Sequence, residues 1–382
     1  MSAAQWRRAM NSGATAVSAQ GSLWAQRPVA GGASIPAVRP RPALGDFAAA
    51  ISARHVIAML ALVLYPWAAS PFFAFQIGGQ SLTLGIIALS LAFLAGYGGM
   101  VSLAQMTVAG VAAYTVGILG TSAATQISLG WPWWLVVPMA VVAATVVATF
   151  IGWLSVRTEG IYTIMITLAI GVAFHYLALQ NYSVFNGHAG LHKVVPPTLL
   201  GIYWRDPIPY YYLALFWALL AYLFVKYIVR TPFGIALQGV RDNPRRMNAL
   251  GFNVVAIRVA AYAVAGFIAA IGGVLLVWYN GLVAPGTVAV GSLLNVLIIA
   301  VLGGLRHPIG AFAGAVVFVL LQNFAIDLLG TDYRERFNLV IGGLFLLIVL
   351  FSPDGILGWW AALRRRLLPR AANAGPPRQL PH

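Results

Sequence analysis

Cysteine is absent from all 382 residues. That excludes a disulfide framework, an iron–sulfur cluster and a cysteine-based zinc site. Charge is scarce as well. Only 8% of the residues are Asp, Glu, Lys or Arg, against about 25% in an ordinary soluble domain. Eight residues are acidic: Asp46, Glu159, Asp206, Asp242, Asp327, Asp332, Glu335 and Asp354. Each falls in a loop or near the end of an apolar stretch. A proton-coupled carrier usually needs an ionisable group in the membrane interior, and His175 is the one candidate within an apolar stretch. A packed or hydrogen-bonded histidine explains it equally simply. Enzyme signatures are missing too: there is no HExxH, no GxSxG and no cluster of Asp, Glu, His or Cys. His188 and His192 have the i, i+4 spacing of a metal pair on a helix, but Gly187 and Gly190 argue against a helix there. No catalytic residue, metal or cofactor is expected.

What is present is apolar surface. The chain is 60% hydrophobic with mean hydropathy +0.85, which indicates an integral membrane protein. A spanning helix needs about 20 apolar residues. The stretches 56–75, 80–97, 101–120, 133–154, 160–180, 209–229, 254–279, 287–303, 308–328 and 338–352 give about ten spans. The expected fold is therefore all-α, a polytopic transmembrane helical bundle over residues 51–360. Thr163, Thr167 and His175 mark 160–180 as a broken helix or a cavity lining. Trp131, Trp133, Trp134, Trp359 and Trp360 stand at span ends, where their rings suit the interfacial belt and anchor the protein in lipid.

The net charge of +15 is not a nucleic-acid footprint, because no alternation of aromatic and basic residues accompanies it. With ten spans both termini share one side. Lys193, Arg205, Arg334 and Arg336 lie on the other, and the remainder of the 23 basic residues lie with the termini. The positive-inside rule makes that side cytoplasmic. Residues 1–50 have the composition of a disordered basic cytoplasmic tail, although their Ala, Ser, Gly and Arg content also fits a transit peptide. Residues 361–382 form a second basic cytoplasmic tail. A weak internal repeat pairs LAGYGGMVSLAQMTVAGVAAYTV (94–116) with VLGGLRHPIGAFAGAVVFVL (301–320), each a glycine hairpin between two spans. Parallel repeats of this kind occur in transporters, and small residues that permit close helix packing produce the same look.

One segment is neither apolar nor featureless. The island 230–258, RTPFGIALQGVRDNPRRMNALGFNVVAIR, holds five arginines and one acid. Thr231-Pro232 is an N-cap followed by proline at the first helical position, and the helix it starts runs to about Val240. Asn243-Pro244 repeats the signal and starts a helix from Pro244 to Leu250, stopped by Gly251. Met247 and Leu250, three apart, share a face, while Arg245 and Arg246 point elsewhere. A short helix with one greasy edge and a basic collar suits a groove on a soluble partner. A positive-inside loop resting on headgroups is the alternative.

The island resembles the cytoplasmic coupling loop of ABC importer permeases, in the form typical of branched-chain amino-acid (Liv-type, M-like) permease subunits. The matching residues are Ala236-Leu237, Arg241-Asp242-Asn243 and Ala249-Leu250-Gly251-Phe252-Asn253. LSLAFLAGYGGMVSLAQMTVAGVAAYTVGIL (89–119) resembles that family's early hairpin, and RTEGIYTIMITLAIGVAFHYLAL (157–179) its RTxGIYxxMxTLA segment. IIAVLGGLRHPIGAFAG (298–314) resembles its late hairpin and FSPDGILG (351–358) its closing motif. The likeness covers roughly 56–360 in the family's order. One departure bears on substrate. Where the family commonly has a TGG-type turn, this chain has Asn186-Gly187-His188-Ala189-Gly190.

The resemblance implies a transport subunit rather than an enzyme, a multi-pass protein of the bacterial inner membrane that forms part of the pathway for branched-chain or similar amino acids. The departure leaves urea or short amides open, and a stand-alone secondary carrier is the reading from another class. Implied partners are a second permease subunit, two cytoplasmic ABC ATPases and an extracytoplasmic binding protein. The chain has no GxxxxGK[ST] phosphate loop of its own. Residues expected to couple to the ATPases are Arg241, Asp242, Asn243, Pro244, Met247, Ala249, Leu250 and Gly251. Residues expected along the pathway are Gln105, Thr107, Thr163, Thr167, Asn186, Gly187, His188 and Gly190, chosen as polar groups within spans or at the departing turn.

Overall fold

The computed structural model describes residues 62–67, 70–158, 160–199, 201–305 and 307–329, with isolated positions 342, 343, 346, 355 and 358. The tails 1–50 and 361–382 and most of the 338–352 stretch lie outside the described residues. The main helices among the described residues are α1 (Gln80–Gly98), α2 (Gln105–Leu119), α3 (Trp133–Ser155), α4 (Ile161–Gln180), α5 (Pro207–Arg230), α6 (Pro232–Asp242), α7 (Pro244–Ala249), α8 (Val254–Asn280), α9 (Val290–Gly303) and α10 (Pro308–Leu329). This is a helical membrane protein. Among the described residues, five helices are long and apolar enough to cross a bilayer: Phe73–Gly98, α3, α4, α5 and α8.

Four expectations are corrected by the helices. Phe73–Gly79 is a π-helical segment continuous with α1, so residues 73–75 belong to the second apolar stretch and not to 56–75. Glycines 78 and 79 do not break the helix because Tyr211 and Tyr210 pack directly on them. The 101–120 stretch contains only the 15 residues of α2, about 22 Å of helix, short of the ~30 Å hydrocarbon layer. The 14 residues of α9 are shorter still, and α9 and α10 meet at a bend of 116°. A pair bent like this is the geometry of a broken span or a re-entrant loop. Conversely, 160–180 holds one continuous helix, Ile161–Gln180, and its buried threonines Thr163 and Thr167 satisfy their hydroxyls on preceding carbonyls.

In lipid, apolar faces gain little by leaving the solvent, so helices associate through close packing at small residues. α8 shows this along its length. It packs against α1, α2 and α3 more extensively than any other helix does. A side chain on Gly272 would stand 2.5 Å from the Ile87 Cγ1 of α1, and one on Gly273 would enter the backbone of Ala109 on α2. Gly266 faces Ala148 on α3, and Gly152 of α3 receives the Tyr262 ring. α8 is thus wedged between α1 and α2 at the Gly272-Gly273 pair. Tyr210 of α5 ties this core down. Its hydroxyl donates to the Leu275 carbonyl (2.9 Å) and stands 2.8 Å from the Thr83 hydroxyl.

The wedge also decides how far the internal repeat extends. Both hairpins close on a positive-φ glycine, Gly99 and Gly304. The second hairpin is tight, with Gly314 against the Ile299 carbonyl. The first is splayed by α8, so the repeat is one of turns and not of packing. Among the described residues there are two minimal antiparallel ladders. They join β1 (Leu191–His192) to β4 (Leu282–Val283), and β2 (Thr198–Leu199) to β3 (Ile202–Tyr203).

Candidate functional site

The island folds as its punctuation dictates. The Thr231 hydroxyl accepts from the Gly234 N–H (3.4 Å) and opens α6. The Asn243 Oδ1 accepts from the Arg246 N–H (2.9 Å) and opens α7 at Pro244. Past Leu250, Gly251 takes φ +87°. The Gly251 N–H then bonds the Asn248 carbonyl (3.0 Å) and the Phe252 N–H the Met247 carbonyl (3.1 Å). That pair of bonds is a Schellman closure. The Asn253 side chain caps α8 through the Ala256 N–H (3.0 Å). A six-residue helix is unstable alone. Here both of its ends are fixed by side chains and turn geometry.

The greasy edge expected from Met247 and Leu250 is divided between two roles. Met247 is half-buried and its sulfur lies over Gly239 of α6, 2.9 Å from where a Cβ would stand. Leu250 is 64% exposed and Phe252 45%. Met247 therefore holds α7 to α6, and Leu250 with Phe252 forms the outward apolar pair. Pro244 is half-buried, and Arg245, Arg246 and Ala249 are exposed.

Arg241 connects the island to the core. Its Nη1 donates to the Gly96 carbonyl in the last turn of α1. Its Nε and Nη2 meet the Asp242 Oδ1 at 3.0 and 2.9 Å. A cation over a helix C-terminus is favourable, because the last carbonyls lack intrahelical partners. Gly99 makes room for it. Gly99 adopts φ +67°, and a Cβ there would lie 2.6 Å from the Arg241 Cγ.

The predicted pathway residues fall into two groups that the fold keeps apart. Gln105, Thr107, Thr163 and Thr167 are all buried at the island end or just above it. Ser90 of α1, not singled out by sequence, donates to the Gln105 Oε1 (3.0 Å). The Leu103 N–H, in the α1–α2 turn, donates to the Thr167 hydroxyl of α4 (3.1 Å), and Thr167 donates on to the Thr163 carbonyl (3.0 Å). Thr107 is different. Its hydroxyl is buried with no hydrogen-bond partner, and it faces Gly171 of α4. An unpaired buried hydroxyl costs about 1–3 kcal/mol.

Asn186, Gly187, His188 and Gly190 sit at the opposite end of α4, about 30 Å of helix away. Asn186 and Gly187 both have positive φ. The Asn186 Nδ2 donates to the Gly190 carbonyl (2.7 Å), closing the turn. The Tyr182 ring covers Gly187, and Gly190 lies against the backbone of Val283 and Ala284. His188 is exposed. His192 lies in β1, so the two histidines do not share a helix. The His175 Nδ1 is 2.9 Å from the Pro285 carbonyl. A carbonyl only accepts, so this nitrogen carries the proton, and His175 is a hydrogen-bonded tether between α4 and the turn before α9.

Sequence reasoning also passed over an aromatic cluster above Thr107. Tyr114 of α2, Phe174 of α4 and Phe185 meet edge to face, with centroids 5.0–6.2 Å apart. The Tyr114 hydroxyl is buried without a partner. A tyrosine inside a span, away from the interfaces that tyrosine prefers, was the available signal. Trp131 and Trp133, assigned to lipid anchoring, also line a cleft with Trp278 and Val194.

Comparison with known proteins follows this geometry. Residues 73–350 match the model of the branched-chain amino acid transport system permease component family. The LivM permease protein of the high-affinity branched-chain amino acid transport system of Salmonella typhimurium is 25% identical over 295 residues, covering 71% of this chain and 65% of that protein. The LivH permease protein of Escherichia coli K12 is 25% identical over 302 residues, covering 72% of this chain and 91% of that protein. The BraD permease protein of Pseudomonas aeruginosa is 31% identical over 134 residues, 35% of this chain and 42% of its own length. The chain thus spans about two-thirds of the length of the LivM protein. No solved structure matches. On the extent of the family match, which takes in the island, both hairpins and the core helices, the chain belongs to the branched-chain amino acid transport permease family.

Proposed function

We propose that this chain is a permease subunit of an ATP-driven importer for branched-chain or similar small amino acids. Two cytoplasmic ABC ATPases would dock on the island, a second permease of the same type would complete the pathway, and a binding protein would deliver substrate on the far side. The island side is cytoplasmic in this reading, on the distribution of basic residues. Both termini lie there, in the bacterial inner membrane. The Asn186–Gly190 turn, at the far end where substrate would arrive, departs from the family's usual pattern. Urea or short amides are the second reading on that ground.

The observation that supports coupling is the Arg241 contact with Gly96. It joins the surface helices of the island to α1, which is buried along most of its length. Displacement of α6 and α7 by an ATPase would reach α1 through a charge-assisted hydrogen bond and not through a flexible loop. The test is co-purification. Leu250→Asp with Phe252→Asp should abolish recruitment of the ATPases while the permease still reaches the membrane. Met247→Ala should destabilise the island itself. Undiminished ATPase recovery with the double aspartate variant would refute the docking role.

A further inference from the structure

One span does not hold α geometry throughout. Over Phe73–Gly79 the chain is π-helical, and α1 follows it without interruption. The change of register shows in the Gln80 N–H, which reaches back five residues to the Phe75 carbonyl. An α-helix reaches back four. Among the described residues no other span contains such a segment. π turns are rare and frequent at functional sites. Such a turn can migrate, exchanging one i→i+5 bond for one i→i+4 bond at a time. Each residue it passes is then re-registered by one position, about 100° of rotation and 1.5 Å of rise.

Three helices grip this segment, at the end of the span away from the island. From α8, the Tyr279 hydroxyl donates to the Gln76 Oε1 (3.0 Å), and its ring stacks on Phe75 with centroids 4.7 Å apart. From α10, the Asn323 Oδ1 accepts from the Gln76 Nε2 (3.4 Å), and Phe324 stacks on Phe73 at 6.3 Å. From α5, the Tyr211 and Tyr210 rings lie on Gly78 and Gly79. Ring contacts of this kind are non-directional enough to survive a small slide, whereas hydrogen bonds require a set distance and angle. Gln76 alone carries the hydrogen bonds that join the segment to both α8 and α10. The opposite end of α1 is held by Arg241 through the Gly96 carbonyl. A helix moved at one end and gripped at the other has to change somewhere between, and the π segment is where register is already displaced.

We propose that Phe73–Gly79 is the joint at which this span changes register during transport, and that Gln76 is the positioning residue that latches it. Motion received at the island through Arg241 turns and draws α1 by up to one residue. The π turn takes up the difference, Gln76 parts from Tyr279 and Asn323, and the stacked rings keep the outer end in place. Return of the island restores both bonds. The proposal rests on the importer reading and adds to it a moving part and its latch.

The experiment uses the whole transporter, with ATPases, second permease and binding protein. ATP-dependent uptake of radiolabelled leucine in proteoliposomes tests the importer reading on its own. Amide hydrogen exchange, followed by mass spectrometry in lipid nanodiscs, tests the joint. A moving π turn breaks and remakes its own bonds, so the amides of residues 73–80 should exchange severalfold faster during ATP turnover than without nucleotide. The amides of residues 274–279 in α8 should not change. Gln76→Leu keeps the side chain's bulk and removes both bonds. Interhelical hydrogen bonds in membranes shift an equilibrium by about threefold each. Exchange over 73–80 in the nucleotide-free variant should therefore rise roughly threefold to tenfold, towards the turnover rate. Leucine moved per ATP should fall. A purely structural π turn would exchange at one rate in both states. Leucine uptake with that state-independent exchange would overturn the joint and leave the importer reading standing. State-dependent exchange without leucine uptake would keep the joint and overturn the substrate. State-dependent exchange left unaltered by Gln76→Leu would overturn the latch.

Discussion

Gly273→Ala tests the packing argument most directly, because intrinsic propensity and tertiary packing give opposite answers. In an isolated helix, alanine is favoured over glycine by roughly 0.5–1 kcal/mol. In this fold the new methyl would lie 2.7 Å from both the Cα and the carbonyl carbon of Ala109, where carbon atoms prefer about 3.5–4.0 Å. Both obstacles are backbone, so no rotamer change relieves them. α8 would have to withdraw from α2 by about 1 Å, and a gap of that size forfeits a quarter to a half of the dispersion attraction along the seam. Overpacking of this kind costs about 1–3 kcal/mol and exceeds the propensity gain. Gly291→Ala is the matched comparison. Gly291 lies in α9 with nothing near its missing side chain, so this change should be neutral or stabilising. Thermal unfolding of the purified permease in detergent should give a lower midpoint for Gly273→Ala and an equal or higher one for Gly291→Ala. A Gly273→Ala midpoint equal to or above that of the unaltered protein would refute the wedge.

Arg241→Gln should lower the amount of leucine moved per ATP hydrolysed while the ATPases still co-purify. Arg241 binds the core, whereas Leu250 and Phe252 face outward. The Asp242 pair is solvent-exposed and is worth about 0–1 kcal/mol, so overall melting should shift little. A large loss of stability with normal coupling would reverse that assignment. Tyr210→Phe should destabilise the fold by about 1–3 kcal/mol, since it removes the donor to Leu275 and leaves the buried Thr83 hydroxyl with one partner fewer. An unchanged unfolding midpoint would show that this bond contributes nothing.

The parts of the fold legible in sequence are those set by local chemistry. Thr231, Asn243 and Asn253 each cap a helix through a nearby N–H, and such bonds depend on a few neighbouring residues. Stretches such as 160–180 and 254–279 match α4 and α8 almost residue for residue, because apolar length alone defines a spanning helix. Facing is a different matter. A membrane helix is apolar on every side, so periodicity does not say that α2 turns Ala109 to α8 and Thr107 to α4. Nor could it say that Met247 lies inward on Gly239. The division of the pathway residues was hidden for the same reason. Thr163 and Asn186 are close in sequence, yet a straight helix separates them by nearly the thickness of a bilayer. Residues 287–303 read as one span because Pro285–Val288 is itself largely apolar, although it forms a separate 3-10 turn.

Arg241 has a counterpart at the other end of the molecule. The Arg205 Nη2 donates to the Asn280 carbonyl (3.2 Å) at the end of α8, where Gly281 turns left-handed. α1 ends at the island and α8 ends far from it, so the two innermost helices run in opposite directions. Both of their carbonyl ends are gripped by one continuous segment, residues 205–241, with α5 as its shaft. A segment so placed would act as a connecting rod between two antiparallel helices. A pull on the island loads α1 at its near end and α8 at its far end together, so the resulting stress on the core is shear along the seam between them. The small residues that line this seam, Gly272 above all, are the surface over which such sliding would occur.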